Sequence, residues 1–135
     1  MAIITPVPLY FDDVVLTIDG DDYAPAASQA SLEPNTTSTV FHGLKPDENF
    51  PASSTDWSLT LAFVQDWDST VSLARYLFAN QGSTIATTLK PRSGTGPSFT
   101  MNLHIVPGSI GGTTRSHATT TVTLPLKGIP ALVEA

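Results

Sequence analysis

The three histidines of the chain, His42, His104 and His117, are the first residues to test for chemistry, because imidazole is a common metal ligand and general base. Only His104 and His117 can become neighbours, through a hairpin of the last two predicted strands. No Cys, Asp or Glu lies beside them in that pairing, whereas a zinc site needs three or four ligands. We therefore expect histidines on exposed strands, with no metal and no cofactor.

Two other motifs have the residue types of a binding site but not the spacing. Asp19-Gly20-Asp21-Asp22 lacks the ordered Asp-x-Asp-x-Asp-Gly pattern and the terminal Glu of a calcium loop, so a hairpin turn is the better interpretation. Gly94-Thr95-Gly96 is an incomplete phosphate-loop pattern between predicted strands, which indicates an ordinary loop. No Gly-x-Ser-x-Gly elbow presents a serine nucleophile. We expect no catalytic residues, and the chain is not predicted to be an enzyme.

Composition points instead towards a protein that buries its surface against neighbours. Charged residues make up 13% of the 135 residues, about half the usual share, and the formal net charge is -6. A low-charge surface suits protein contact, and the absence of a basic patch argues against a sequence-specific nucleic-acid reader. No apolar run approaches the ~20 residues that span a bilayer, so we expect no membrane insertion.

Hydrophobic residues recur mainly with a period of two, which predicts strands. After Asp68 the period becomes helical, and we expect one helix over about residues 69–80, with Gly82 at its stop. The fold class is therefore mainly β, a single domain of two packed antiparallel sheets with one flanking helix. The predicted strands cover Val14–Ile18, Tyr23–Leu32, Trp57–Phe63, Ile85–Leu89, Phe99–Ile105 and His117–Leu124.

The last two strands can be aligned as an antiparallel hairpin that separates apolar from polar residues. Pairing His104 with His117 places Leu103 beside Ala118 on an apolar face, and a slip of one residue would mix the two faces. The opposite face is neutral and rich in hydroxyl groups. Its residues are Thr100, Asn102, His104, His117, Thr119, Thr121 and Thr123.

The stretch from Asn35 to Thr55 is rich in Pro, Ser and Thr and predicts a long loop, with a short strand near residues 39–41. Phe41, Leu44 and Phe50 are apolar residues in this stretch without a local core. Either they fold back onto the domain or they dock on another subunit.

The order of elements from Trp57 to Pro130 follows the pattern of one known family. The segments that carry the likeness are Trp57-Ser58-Leu59-Thr60-Leu61, Gln65-Asp66, Ser72-Leu73-Ala74-Arg75-Tyr76-Leu77, Asn80-Gln81-Gly82, Leu89-Lys90-Pro91, Gly111-Gly112 and Thr121-Val122-Thr123-Leu124-Pro125-Leu126-Lys127-Gly128. In this order the chain resembles the major tail protein of long-tailed bacteriophages, the tail tube subunit. The likeness covers a little over half of the chain, and no single motif is diagnostic.

The resemblance implies six-membered rings of identical subunits that stack into a hollow tube, through which double-stranded genomic DNA passes without specific binding. It also implies tape-measure and tail-completion proteins as partners, and a place in the virion tail after assembly in the host cytoplasm. The hydroxyl-rich face is then the candidate channel lining, and Phe41, Leu44 and Phe50 are candidate contacts between subunits or rings. Alternatives are a tail terminator, a head decoration protein, or a ligand- or carbohydrate-binding β-sandwich module.

Overall fold

The computed structural model describes residues 2–92 and 96–134 of the chain. In this part of the chain, strands follow one another with connections of very different lengths, and one helix lies between the fourth and fifth strands. The elements are β1 (Val15–Ile18), β2 (Asp21–Asp22), a 3-10 turn (Ala24–Ala26), β3 (Ala27–His42), β4 (Asn49–Val64), α1 (Leu73–Ala79), β5 (Thr84–Lys90), β6 (Ser98–His104), β7 (Thr119–Pro125) and β8 (Ala131–Val133). The predicted loop at Gly94-Thr95-Gly96 falls partly outside the described residues.

Two antiparallel sheets form the fold, which confirms the predicted class. The five-stranded sheet has the order β2-β1-β5-β6-β8, and the three-stranded sheet has the order β3-β4-β7. Alternate residues of a strand point to opposite faces, so Leu59, Leu61 and Phe63 of β4 turn inward and meet Leu103 of β6 in the core. All four side chains are almost fully buried.

The predicted turn at Asp19-Gly20 joins β1 to β2 as a two-residue hairpin. Ile18 pairs with Asp21, and Asp19 and Gly20 have φ angles of 52° and 87°. A type I′ turn needs positive φ at both positions, which Asp and Gly accept more easily than other residues. The Asp22 carboxylate accepts hydrogen bonds from the backbone N–H groups of Leu16 and Ala24, at 3.2 and 3.0 Å. The acidic motif Asp19-Gly20-Asp21-Asp22 therefore forms and stabilises a hairpin turn.

The helix begins later than its periodicity predicts. A carboxylate oxygen of Asp66 accepts the N–H groups of Asp68 and Ser69, at 3.1 and 3.2 Å, and holds the chain in a turn there. Ser72 is the N-cap, and its hydroxyl accepts the N–H of Arg75. Leu73, Ala74 and Leu77 of α1 are buried against the core, so the helix closes one end of the sandwich.

The predicted hairpin of the last two strands is wrong. β6 pairs with β5 and β8, so His104 lies opposite Thr84, whereas β7 pairs with β4 and Thr123 lies opposite Thr60. His117 precedes β7 in the connection between the strands. The alternation of apolar and polar residues within each strand was predicted correctly. Two strands whose apolar residues face each other across a sandwich show the same alternation as two strands paired in one hairpin, so the pattern does not distinguish the two arrangements.

The predicted loop from Asn35 to Thr55 is also wrong, since this segment is the outer half of the β3–β4 hairpin. The short strand expected near residues 39–41 does lie in β3. Pairing runs without interruption from Gln29–Ala62 to His42–Asn49, and the turn is residues 43–48. The N–H of Gly43 donates to the carbonyl of Glu48 at 2.6 Å. Pro34 and Pro51 lie within the strands, which is tolerated because each of these stretches has an unpaired edge.

Candidate assembly surfaces

The outer half of the β3–β4 hairpin projects from the sandwich, and we call it the arm. It comprises residues 33–42, the turn 43–48 and residues 49–56. All of these residues are exposed except the half-buried Gly43, and β7 covers β4 only from Ser58 onward. Ten strand residues span about 33 Å. A two-stranded hairpin alone is marginally stable in water, and the arm has no packing against the second sheet on either of its faces.

The three candidate contact residues all lie at the end of the arm, which we call the arm tip. Phe41 and Phe50 form a cross-strand pair, with ring centroids 6.1 Å apart and with 67% and 58% of their surfaces exposed. Leu44 lies in the turn and is fully exposed. Phe50 is an odd number of residues away from the buried Leu59 and Leu61 of the same strand, and successive side chains point to opposite faces. The aromatic pair is therefore on the face turned away from the core.

The outer face of the three-stranded sheet is neutral to acidic. Its hydroxyl residues form cross-strand rows, such as Thr60 beside Thr123. Its acids are Glu33, whose carboxylate accepts from the Ser31 and Thr60 hydroxyls at 3.3 Å, and Asp56. The outward positions of β3, β4 and β7, all within the described chain, contain no Lys or Arg. The hydroxyl residues are Ser31, Thr37, Thr39, Ser54, Ser58, Thr60, Thr119, Thr121 and Thr123.

The structure divides the predicted channel-lining residues between two surfaces. Thr100, Asn102 and His104 are on the outer face of the five-stranded sheet, because Met101 and Leu103, which alternate with them, are buried. The other group is on the outer face of the three-stranded sheet. Outer faces of a sandwich point in opposite directions, so these residues cannot form one wall. The first group is Thr100, Asn102 and His104, the second is Thr119, Thr121 and Thr123, and His117 is in the loop before β7.

An apolar groove, which we call the base groove, opens at the end of the sandwich where the arm begins. Its volume is about 450 Å³, and it lies between the two sheets. Leu9 and Phe11 of the extended N-terminal segment lie along it. No sequence motif marks this groove, although the apolar residues before β1 were a signal of it. Its main lining residues are Leu32, Trp57, Leu89, Phe99 and Leu132.

A second hollow, of about 560 Å³, lies between α1 and the β1–β2 hairpin. The Tyr23 and Tyr76 rings are 5.8 Å apart there. Burial raises the pKa of both phenols, and the nearby Asp19 and Asp21 carboxylates raise it further, so both stay neutral. Trp67 is half-buried, edge-on to Phe78 at 6.1 Å. It is not the flat exposed ring that a carbohydrate-binding module would present.

No cluster of metal ligands appears in the part of the chain that the structure describes. Within the same residues, no helix is long and apolar enough to cross a membrane.

Gln65 fixes the long connection between β6 and β7 to the end of β4. Its amide nitrogen contacts the Thr120 hydroxyl at 2.6 Å and the Gly111 carbonyl at 2.8 Å, while its oxygen accepts the Gly111 N–H at 3.0 Å. Gln65→Glu keeps the shape but removes both donors. We expect the free energy of unfolding, measured by urea denaturation, to fall by about 1–3 kcal/mol. Gln29→Glu makes the same charge change at an exposed position, and an equal loss there would contradict the role of Gln65.

A solved structure of the virion of a native gene transfer agent particle contains a chain with a similar fold. The TM-score is 0.67 at 16% sequence identity, over 90% of this chain and 95% of that chain. The comparison with protein-family models gave no match, and neither did the comparison with curated proteins. At this identity the likeness concerns the fold, which the two chains share over nearly their whole lengths.

Proposed function

We propose that the chain is a structural subunit of a phage tail tube, which assembles as stacked hexameric rings around a channel that conducts genomic DNA into the host. The observation that carries the proposal is the outer face of the three-stranded sheet, which is rich in hydroxyls, lacks cations and lies between two open edge strands. The fold shared with a chain of a virion particle supports a structural role without catalysis. Tape-measure and tail-completion proteins are the further partners of this role, and its location is the virion tail.

The open edges of the three-stranded sheet support the proposed closure of copies into a ring. In the described chain, β3 and β7 are its outermost strands, and each pairs only with β4. Open edges pair readily with other strands, and a closed barrel removes them. Pairing β3 of one copy with β7 of the next is a heterologous contact, which closes into a ring when the rotation between copies allows it.

The wall of such a ring would be the outer face of this sheet. A wall of Lys or Arg would bind phosphates by releasing counterions and so retain DNA. Thr121 and Thr123 offer neutral hydroxyls instead, and Glu33 and Asp56 add negative charge. The cations of the described chain lie elsewhere, with Lys45 in the arm turn and Arg75 on α1. DNA therefore passes such a wall without being held.

Electron microscopy of concentrated protein tests the proposal. We expect hollow tubes, or rings that stack into tubes as the concentration rises. Because tube growth can require an initiator, the same protein should also be observed with tail-completion proteins present. Rings that never stack under either condition would indicate a terminator instead of a tube. A monomer under both conditions would contradict assembly altogether.

A further inference from the structure

We propose that neighbouring copies join through two oppositely charged flanks of the sandwich, so that an acidic flank of one copy binds a basic flank of the next. The inference rests on the proposed ring for the arrangement of the copies, and it adds the groups that select their contact. Open strand edges allow copies to pair, whereas the charges determine which edges meet.

Charge is divided unevenly along the chain. Eleven of the twelve Asp and Glu residues precede Ser69, whereas five of the six Lys and Arg residues follow it. Residues 2–44 contain no Lys or Arg, and residues 96–133 contain no Asp or Glu. If these two parts of the chain occupy different sides of the fold, the molecule has one acidic and one basic side.

The strand order places these parts on opposite flanks of the sandwich. β1 and β3 lie on one flank, where Leu16 and Ala30 line a common cleft. β6 and β7 lie on the other flank, where Leu126, just after β7, forms a bridge with β6. β5 and β4 separate the two flanks within their sheets. We call residues 12–30 the acidic flank and residues 109–127 the basic flank. The exposed acids of the first are Asp12, Asp13, Asp19, Asp21 and Asp22, and the exposed cations of the second are Arg115 and Lys127.

At the end of the sandwich that α1 closes, each flank carries a charge at the same height. Ala27 at the start of β3 and Thr119 at the start of β7 pair with neighbouring residues of β4. The Asp22 carboxylate is held close to the start of β3, because it accepts the N–H of Ala24 at 3.0 Å. Arg115 lies in the connection shortly before β7. An acid and a cation therefore lie at this end on opposite flanks.

The end where the arm begins repeats this arrangement. Lys127 follows Leu126, whose N–H donates to the carbonyl of Trp57 at 3.0 Å. Trp57 lines the base groove, and so does Phe11, which directly precedes Asp12. Copies related by rotation about an axis along the sandwich therefore meet with opposite charges at both ends.

The charges select the contact, and the strand edges hold it. An exposed ion pair adds little affinity by itself, because water and salt screen it. Arrays of opposite charge instead speed correct encounters, and flanks of like charge repel each other. Contact of an acidic with a basic flank is heterologous and runs head to tail around a ring, whereas contact of two identical flanks closes after two copies. Opposite charges therefore exclude the dimer that would compete with a ring.

Charge changes on the two flanks test the contact as a double-mutant cycle. The neutral-flank variant carries Asp12→Lys, Asp19→Asn and Asp21→Lys, which together cancel the net charge of the acidic flank. Asn is used at Asp19 because it tolerates the positive φ there. The reversed-flank variant carries Arg115→Glu and Lys127→Glu, so both of its flanks are acidic. All five positions are exposed and outside the core, so each variant should keep the native circular dichroism spectrum.

We expect the native chain to form rings at the lowest concentration, the neutral-flank variant at roughly tenfold higher concentration, and the reversed-flank variant only at concentrations higher still. The net charge of the neutral-flank variant changes from -6 to -1, since two reversals add four charges and one neutralisation adds one. Repulsion between whole molecules would therefore predict easier assembly of this variant. A chain with both sets of substitutions should assemble like the neutral-flank variant. Sedimentation velocity over a concentration series measures ring formation.

Salt gives a second measurement on the same proteins. The Debye length falls from about 10 Å at 0.1 M to about 3 Å at 1 M, so salt weakens attraction and repulsion alike. Between these concentrations, ring formation by the native chain should slow by about tenfold, whereas the reversed-flank variant should assemble faster. The same response to salt in both proteins would overturn the contact between flanks.

A matched control and the form of the assembly separate this inference from the tail-tube function. Lys45→Glu with Arg75→Glu changes the net charge as much as the reversed-flank variant but outside both flanks, and it should form rings at native concentrations. An equal defect in this control, or a neutral-flank variant that assembles as well as the native chain, would overturn the flank contact and leave the ring intact. Charge-dependent rings that never stack would support the flank contact and overturn the tube. If the native chain forms neither rings nor tubes, both proposals fail.

Discussion

Replacement of Phe41–Phe50 by Asn-Gly is expected to leave a folded subunit that hardly polymerises. Val40 pairs with Pro51, so a two-residue turn can join these residues without changing the register of the hairpin. None of the removed residues is in the core. The fold should therefore keep its circular dichroism spectrum and its cooperative thermal unfolding.

The loss of assembly follows from the apolar side chains that the replacement removes. Complete burial of a Phe or Leu side chain contributes roughly 1.5–3 kcal/mol, so three of them give at least about 4 kcal/mol per contact. Each 1.4 kcal/mol is a factor of ten, and the concentration at which tubes form should rise about 1000-fold. Pelleting assays over a concentration series, with microscopy of the pellets, measure this change.

A matched control removes an exposed apolar side chain that lies outside the arm. Ile110 is 65% exposed in the connection between β6 and β7, and Ile110→Ser should polymerise like the native chain. If the shortened arm gives tubes at native concentrations, the arm has no part in assembly. If Ile110→Ser is equally defective, the effect reflects a general loss of surface hydrophobicity and not the arm.

The arm was the largest feature that the sequence did not predict, and the reason is physical. A strand shows a hydrophobic period of two only when one of its faces is buried. Both faces of the arm strands are exposed, for example at Thr37 and Ser38 of β3 and at Ser53 and Ser54 of β4, so the sequence shows no such period there. Together with Pro34 and Pro51 they have the composition of a loop. The sequence predicts the arm's apolar residues, Phe41, Leu44 and Phe50, but not the strands that bring them together.

The core was predictable for the same reason. Leu59, Leu61 and Phe63 alternate with smaller or more polar residues because only one side of β4 faces the other sheet. The helical spacing of Ala74 and Leu77 likewise reflects one buried stripe. Alternation identifies which face of a strand is buried but not which strand lies beside it. Thr100 and Thr121 were therefore correctly predicted to be on outward faces and wrongly predicted to be in the same sheet.

Thr121→Lys is expected to give tubes that retain DNA. Thr121 is exposed in the middle of β7, and its neighbour Ala62 makes no competing charge pair. One added cation per subunit places six around each ring of a hexamer. If each cation neutralises one phosphate, the affinity for DNA gains a steep dependence on salt, with a slope near −0.9 for every phosphate contacted. Genome delivery should slow while tube assembly continues, and DNA bound to purified tubes should be released as salt is raised.

A lysine substitution on the five-stranded sheet tests which of the two surfaces lines the channel. Ala86 is exposed on the outer face of the five-stranded sheet, where its partner in β6 is Asn102, so Ala86→Lys is the matched control. If the three-stranded sheet forms the wall, Ala86→Lys tubes should deliver DNA normally. If Ala86→Lys tubes retain DNA and Thr121→Lys tubes do not, the wall is the surface of Thr100, Asn102 and His104, and the ring must close through the edges of the five-stranded sheet. Normal delivery by both variants would remove the channel from the proposal, because a single wall of either sheet has to bring one of these ammonium groups to the phosphates.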